Sequence, residues 1–203
     1  MSEKNREYVR HRYDRAAHLY DWVDRLISPG LRQKALARAR GKVLELGIGT
    51  GANLPYYPQS CEITGIDFSP EMLKRAARRT QDAHVPVRLL LMDIEALNFP
   101  DQAFDTVIST FVFCSVPDPL AGLREAKRVC KREGYVILLE HMRSENLFLA
   151  RFMDLLNPLI HSLVGCNINR QTMQALQEAG LLPLSVDIST GGHVRLIMAK
   201  PIF

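Results

Sequence analysis

The sequence predicts an α/β fold: a seven-stranded, mostly parallel sheet with helices on both faces and a C-terminal antiparallel hairpin. Three observations predict it. From residue 42 onward, short apolar runs of strand length alternate with stretches of helical period, a rhythm that implies parallel strands joined by helical crossovers. The first run passes directly into a loop with glycines at alternate positions, 47, 49 and 51. The last two runs, 184–188 and 194–199, are separated by Ser189-Thr190-Gly191-Gly192, which suits a hairpin turn.

Element by element, residues 6–40 read as a helical arm, with Tyr8, Tyr13, Leu19, Tyr20, Val23 and Ile27 at three- and four-residue spacings and a break at Ser28-Pro29-Gly30. Strands are expected at 42–46 and 61–66. Ser69-Pro70-Glu71 opens a helix, Ser as the cap and Pro in the first turn. Further strands are expected at 87–92 and 106–110, a helix at 119–130, and a strand at 135–139. Residues 142–165 interrupt the rhythm with an apolar helical insert, broken by Asn157-Pro158, that is expected to lie over the site. A helix over 170–179 ends at Gly180, a residue type suited to closing a helix. One domain over 1–203 is expected, with residues 1–40 as an arm or lid.

Composition narrows the class. The chain has 203 residues, 47% hydrophobic and 24% charged, as in ordinary globular proteins. No apolar run reaches the roughly 18 residues of a spanning helix, and the first residues lack the pattern of a signal peptide. A cytoplasmic protein, soluble or peripheral at a membrane, is expected. The four cysteines, 61, 114, 130 and 166, form no Cys-x-x-Cys pair, so reduced thiols are expected, with no metal site and no disulfide framework. Net charge is +4, yet residues 1–42 hold eleven Lys/Arg against five Asp/Glu. Such a basic arm suits contact with an anionic membrane surface, or a solvated helix face. No nucleic-acid reader motif is present, and the oligomeric state is not legible.

The loop Glu45-Leu46-Gly47-Ile48-Gly49-Thr50-Gly51 carries the chemistry. Glycine lets backbone approach a ligand closely. A helix starting after the loop would add unpaired N–H groups. Gly47-x-Gly49-x-x-Ala52 fits the dinucleotide pattern, and Asp67 follows at the spacing of a ribose-binding acid, so a nicotinamide-dependent oxidoreductase is a competing reading. Three features point instead to S-adenosyl-L-methionine. Glu45 suits an ammonium and a sulfonium, and would repel pyrophosphate. Gly51 opens the loop for a methionine moiety. Asp93 can accept a hydrogen bond from an adenine amino group while Ile94 packs on the ring. Phe68 and Met72 are candidates for the adenosine pocket; the other role for Met72 is in the core. A non-catalytic module binding an adenosine cofactor also fits these residues.

Val43-Leu44-Glu45-Leu46-Gly47-Ile48-Gly49-Thr50-Gly51, Gly65-Ile66-Asp67-Phe68-Ser69 and Phe104-Asp105-Thr106-Val107-Ile108-Ser109 resemble successive strand motifs of the class I, S-adenosylmethionine-dependent methyltransferases. The resemblance spans nearly the whole chain. It implies a Rossmann-like sheet whose last strand is antiparallel, Asp67 on the ribose hydroxyls, Asp93 on the adenine, and Glu45 with the glycines around the methionine. It also implies backbone groups of Thr110 or Phe111 at the cofactor's amino-acid end.

Two subfamilies are similar. Gly51-Ala52-Asn53, Tyr57-Pro58, Phe113-Cys114-Ser115-Val116, Glu140-His141 and Gly165-Cys166-Asn167-Ile168-Asn169-Arg170 resemble the methyltransferase-like alkyl thiol methyltransferases, which carry a membrane anchor not seen in this sequence. Arg12-Tyr13-Asp14-Arg15-Ala16 with Tyr20-Asp21 resembles the ubiquinone/menaquinone and bacterial phospholipid N-methyltransferases. A small lipophilic acceptor such as a thiol or quinol is expected, or phosphatidylethanolamine at a membrane surface.

Methyl transfer from a sulfonium is an in-line displacement in which alignment supplies much of the rate, so a dedicated base is optional. His141, at the end of the fifth strand, is the candidate proton acceptor. Tyr20 is the candidate to close over the methyl group, and Tyr13 is similar. Cys114 reads as a small buried filler.

Overall fold

The computed structural model describes residues 29–144, 146–164, 167–188 and 194–203. Tyr13, Tyr20, Cys166 and the turn at 189–192 lie outside the described residues. The described arm segment is α1 (Pro29–Leu36), so Pro29 opens a helix here rather than only ending one. Proline is suited to that position because its missing N–H would have no helical partner.

Seven strands follow: β1 (Gly41–Leu46), β2 (Cys61–Asp67), β3 (Val87–Leu91), β4 (Phe104–Thr110), β5 (Cys130–His141), β6 (Leu181–Ile188) and β7 (Val194–Pro201). They form one sheet of order β3-β2-β1-β4-β5-β7-β6. The pairs among β1 to β5 are parallel, and β7 runs antiparallel to both β5 and β6. The α/β sheet with its closing antiparallel pair is thus as the sequence predicts.

Both faces of the sheet are covered, as near-continuous apolar strands require. Leu46, Val107, Leu138 and Ile197 pack with Leu123 and Ala126 of α3 (Pro119–Val129) and Leu176 of α5 (Thr172–Glu178). Their strand neighbours Val43, Ile108, Ile137 and Leu139 face the other way, onto Ala35 and Leu36 of α1. Between β2 and β3 lies α2 (Pro70–Arg79). Its cap is Ser69, whose Oγ accepts from the N–H of Met72 at 3.2 Å.

Two expectations are corrected. The glycine loop does not run into an α-helix. It is followed by one 3-10 turn, Leu54–Tyr56. Pro55 lies within that turn and Pro58 follows it, with no N–H to prolong it. Nor does Asn157-Pro158 break the insert, which is the continuous helix α4 (Leu147–Val164). Pro158 forgoes one helical hydrogen bond, and side-chain anchors on the preceding turn compensate. Asn157 accepts from the N–H of Ile168 at 2.9 Å, and Asp154 from Asn169 Nδ2 at 3.1 Å.

Candidate active site

The tips of β1, β2 and β4, with the turn after β3, meet at one edge of the sheet, where ligands of open α/β folds bind. Gly47, Gly49 and Gly51 all have left-handed backbone, at φ 64, 57 and 82°. At Gly47 a Cβ would stand 2.6 Å from Val112 Cγ2, so the loop closes against the segment after β4 only because the side chain is absent. A Cβ at Gly51 would lie 3.1 Å from the Ala76 Cα, where the loop touches α2.

Asp67 is buried at the end of β2 and fastens this loop. Its Oδ2 accepts from the N–H of Gly49 and its Oδ1 from the N–H of Ser69, each at 2.9 Å. Phe68 beside it is half-buried, and Met72 is buried under the start of α2. Asp93 stands two residues beyond the end of β3 rather than within it. Its Oδ1 accepts from the N–H of Glu95 at 2.9 Å, which holds the turn. Ile94 is buried in the core on the α3 side, where a Cβ at Gly122 would come within 2.9 Å of its Cγ2.

Glu45 is almost wholly buried and sits in a network that spans four elements. Its Oε1 accepts from Asn53 Nδ2 at 2.7 Å and its Oε2 from the Tyr57 hydroxyl at 2.8 Å. Asn53 Nδ2 also donates to Thr110 Oγ1 at 3.0 Å, and Arg32 Nη1 donates to Asn53 Oδ1 at 2.8 Å. Burial, together with the adjacent Glu45 charge, holds the Tyr57 phenol well above its ordinary pKa, so it remains a donor. Arg32, Asn53 and Tyr57 are absent from the sequence-derived site set. In the sequence Asn53 and Tyr57 stand out only as parts of family motifs, and nothing about Arg32 singles it out among the basic residues of the arm.

At the tip of β4, Phe111 adopts φ 58°, a conformation unusual for a bulky residue. Its N–H donates to the Leu139 carbonyl at 2.7 Å, so that donor is taken up by the sheet. The Phe111 ring packs on His141 with centroids 4.7 Å apart, and the Arg32 guanidinium lies 5.8 Å from its centroid. His141 is thus part of an aromatic contact at the mouth of the site. Its neighbour Glu140 has a structural task that the sequence does not reveal. The fully buried Oε1 accepts from the N–H groups of Val112 and Phe113, at 2.9 and 3.1 Å, and from Ser109 Oγ at 3.1 Å. This carboxylate folds the segment after β4 against Gly47.

A sheet of this order, with an antiparallel seventh strand and a glycine loop between β1 and a buried acid at the tip of β2, is the architecture of the class I, S-adenosylmethionine-dependent methyltransferases. The chain carries a methyltransferase domain of that class, and S-adenosylmethionine is the cofactor of the class. The methyltransferase-domain family model matches residues 44–138, from the middle of β1 to the middle of β5.

Among similar proteins, a phosphatidylethanolamine N-methyltransferase of Cereibacter sphaeroides is 44% identical over 117 residues, 56% of this chain and 58% of that protein. A human thiol S-methyltransferase is 33% identical, with 71% of this chain and 61% of that protein aligned. A demethylmenaquinone methyltransferase of Thermotoga maritima is 33% identical over 69% of this chain and 64% of its own length. The chain therefore spans about three fifths of the length of these relatives. A solved S-adenosylmethionine-dependent methyltransferase from Thermotoga maritima shares the fold at a TM-score of 0.70 and 21% identity, covering 96% of this chain and all of the other.

Proposed function

We propose that the chain transfers a methyl group from S-adenosylmethionine to a small lipophilic acceptor. When bound, the cofactor supplies an electrophilic methyl on a sulfonium; the acceptor's lone pair forms the new bond as the carbon–sulfur bond breaks, and the pair left on sulfur yields a neutral thioether. The residues at the strand tips fit this cofactor. Gly47 and Gly49 leave a cradle without side chains, Asp67 stands beside it at the tip of β2 for the ribose hydroxyls, and Asp93 lies just past the next strand for the adenine amino group. Glu45 lends negative charge near the methionine end through Asn53 and Thr110. His141 and Phe111 would form the wall where the acceptor enters; Tyr20 belongs to the arm proposed to close over it.

The observation that carries the lipophilic reading is α4. Phe148, Phe152 and Leu155 recur at spacings of four and three on one helical face and are 87, 56 and 76% exposed. Ala150 and Met153 are buried on the opposite side. The segment after this helix is tied to the loop after β4, since the N–H of Asn167 donates to the Cys114 carbonyl at 2.8 Å. An apolar face anchored beside the site suits an oily acceptor, or a membrane surface that delivers one. No helix of the described residues is long and apolar enough to cross a membrane.

A second reading, N-methylation of phosphatidylethanolamine at an anionic membrane surface, is favoured by the 44% identity to the enzyme of that name. Labelled S-adenosylmethionine offered with alkyl thiols, quinols and phosphatidylethanolamine vesicles separates the two. Label in thiol or quinol product is expected on the first reading, and label in lipid on the second. No transfer to any of the three would count against both.

A further inference from the structure

A cavity of about 290 Å³ opens between the segment following β5 and the start of α5, and no residue of the glycine loop lines it. Its walls include Met142, Arg143, Arg170, Thr172, Met173 and Arg195. Three arginines thus arrive from three separate places in the chain: just beyond β5, just before α5, and the start of β7. Three arginine side chains lining one small space form a donor set that suits an oxyanion. Arg195 is only 7% exposed, and it sits beside Glu140 in the β5–β7 register.

The arrangement is held in place. Arg170 Nη2 donates to the Val116 carbonyl at 2.8 Å, and the backbone N–H of Arg143 donates to the Arg170 carbonyl at 3.2 Å. Arg143 also pairs with Asp154 of α4 at 2.8 Å, across an exposed contact that an incoming anion can rearrange. The planar fork of arginine matches the oxygens of a phosphate, which a lysine does as a point charge only. Met142 and Met173 give the same cavity an apolar wall. Its volume falls just below the range, roughly 300–1,000 Å³, that whole drug-sized ligands occupy, so it has room for a headgroup and not for a lipid.

We propose that this cavity binds the phosphate of a phosphate-bearing methyl acceptor. The inference rests on the methyltransferase reading and bears on its second form, a phosphate-bearing acceptor, rather than on a thiol or quinol. The placement is direct: Met142 follows His141 at the tip of β5, and Arg170 is bonded to the loop that leaves β4. A phosphate gripped there leaves the rest of the acceptor free to extend toward the β4 and β5 tips.

The test is a titration of the full chain with inorganic phosphate and with glycerophosphoethanolamine, followed by phosphorus NMR, with S-adenosylmethionine binding measured separately. Saturable binding of at least one probe is expected, weakened tenfold or more in R195Q and in the more exposed R143Q, and partly retained in R195K. Binding of the diester assigns the site to a lipid headgroup; binding of inorganic phosphate alone assigns it to a free phosphate group. No binding of either probe, or equal binding by wild type and both glutamine variants, would overturn the proposal. In that case intact S-adenosylmethionine binding would leave the methyltransferase reading standing, whereas its loss in the wild type would remove the reading itself.

Discussion

Asp67→Ala is expected to weaken S-adenosylmethionine binding by about 1–3 kcal/mol, roughly five- to 150-fold in dissociation constant. The carboxylate would be removed from two roles at once. It accepts from the N–H groups of Gly49 and Ser69, so alanine leaves two backbone donors at the loop and the cap without their acceptor. It is also the group proposed to meet the ribose hydroxyls. Asp67→Asn keeps one carbonyl acceptor and is expected to fall between wild type and alanine. Calorimetry on variants shown to be folded by thermal melting reads the effect. A dissociation constant unchanged in folded Asp67→Ala would remove Asp67 from the cofactor site.

Glu140 is expected to make stability depend on pH. Burial pushes its carboxyl up from the ordinary value near 4.5 to about 7, against the lowering effect of the N–H groups of Val112 and Phe113 and the Ser109 hydroxyl. Between those two pH values the folded chain holds a proton that the unfolded chain has released. The contribution of this acid to stability is therefore greatest at low pH, declines as pH rises from about 4.5, and levels off above about 7. Urea unfolding of wild type and Glu140→Gln at pH 5 and pH 8 tests it. Wild type should lose about 2–3 kcal/mol more than the glutamine variant over that span. Parallel curves for the two proteins would show that Glu140 does not titrate there.

The parts legible in the sequence were those written in local pattern. The period of the apolar residues located all seven strands, because each strand of a covered parallel sheet must be apolar over most of its length. Ser69-Pro70 located the start of α2 because capping is a property of adjacent residues. The glycine loop and Asp67 were legible because spacing along one strand–turn–strand unit fixes where their backbones meet.

What was missed depends on residues distant in sequence. Arg32 reaches Asn53 and Thr110 across separations of 21 and 78 residues, and no local pattern encodes such a contact. Glu140 reads as the neighbour of a candidate base, yet its task is to hold a loop 28 residues earlier. Pro158 was expected to end a helix on local grounds, and the anchoring of Asp154 and Asn157 to residues 168–169 overrides that preference. The third-strand acid shows the finer limit. Asp93 was placed near the right edge of the sheet, but its carboxylate also serves its own turn.

The most direct measurement is a crystal structure of the chain grown with S-adenosylhomocysteine. Adenosine is expected over the Gly47–Gly51 loop, with the ribose hydroxyls within hydrogen-bonding distance of Asp67 and the adenine amino group near Asp93. Density for the ligand elsewhere, or a nucleoside in that crevice with both carboxylates turned away from it, would contradict this placement.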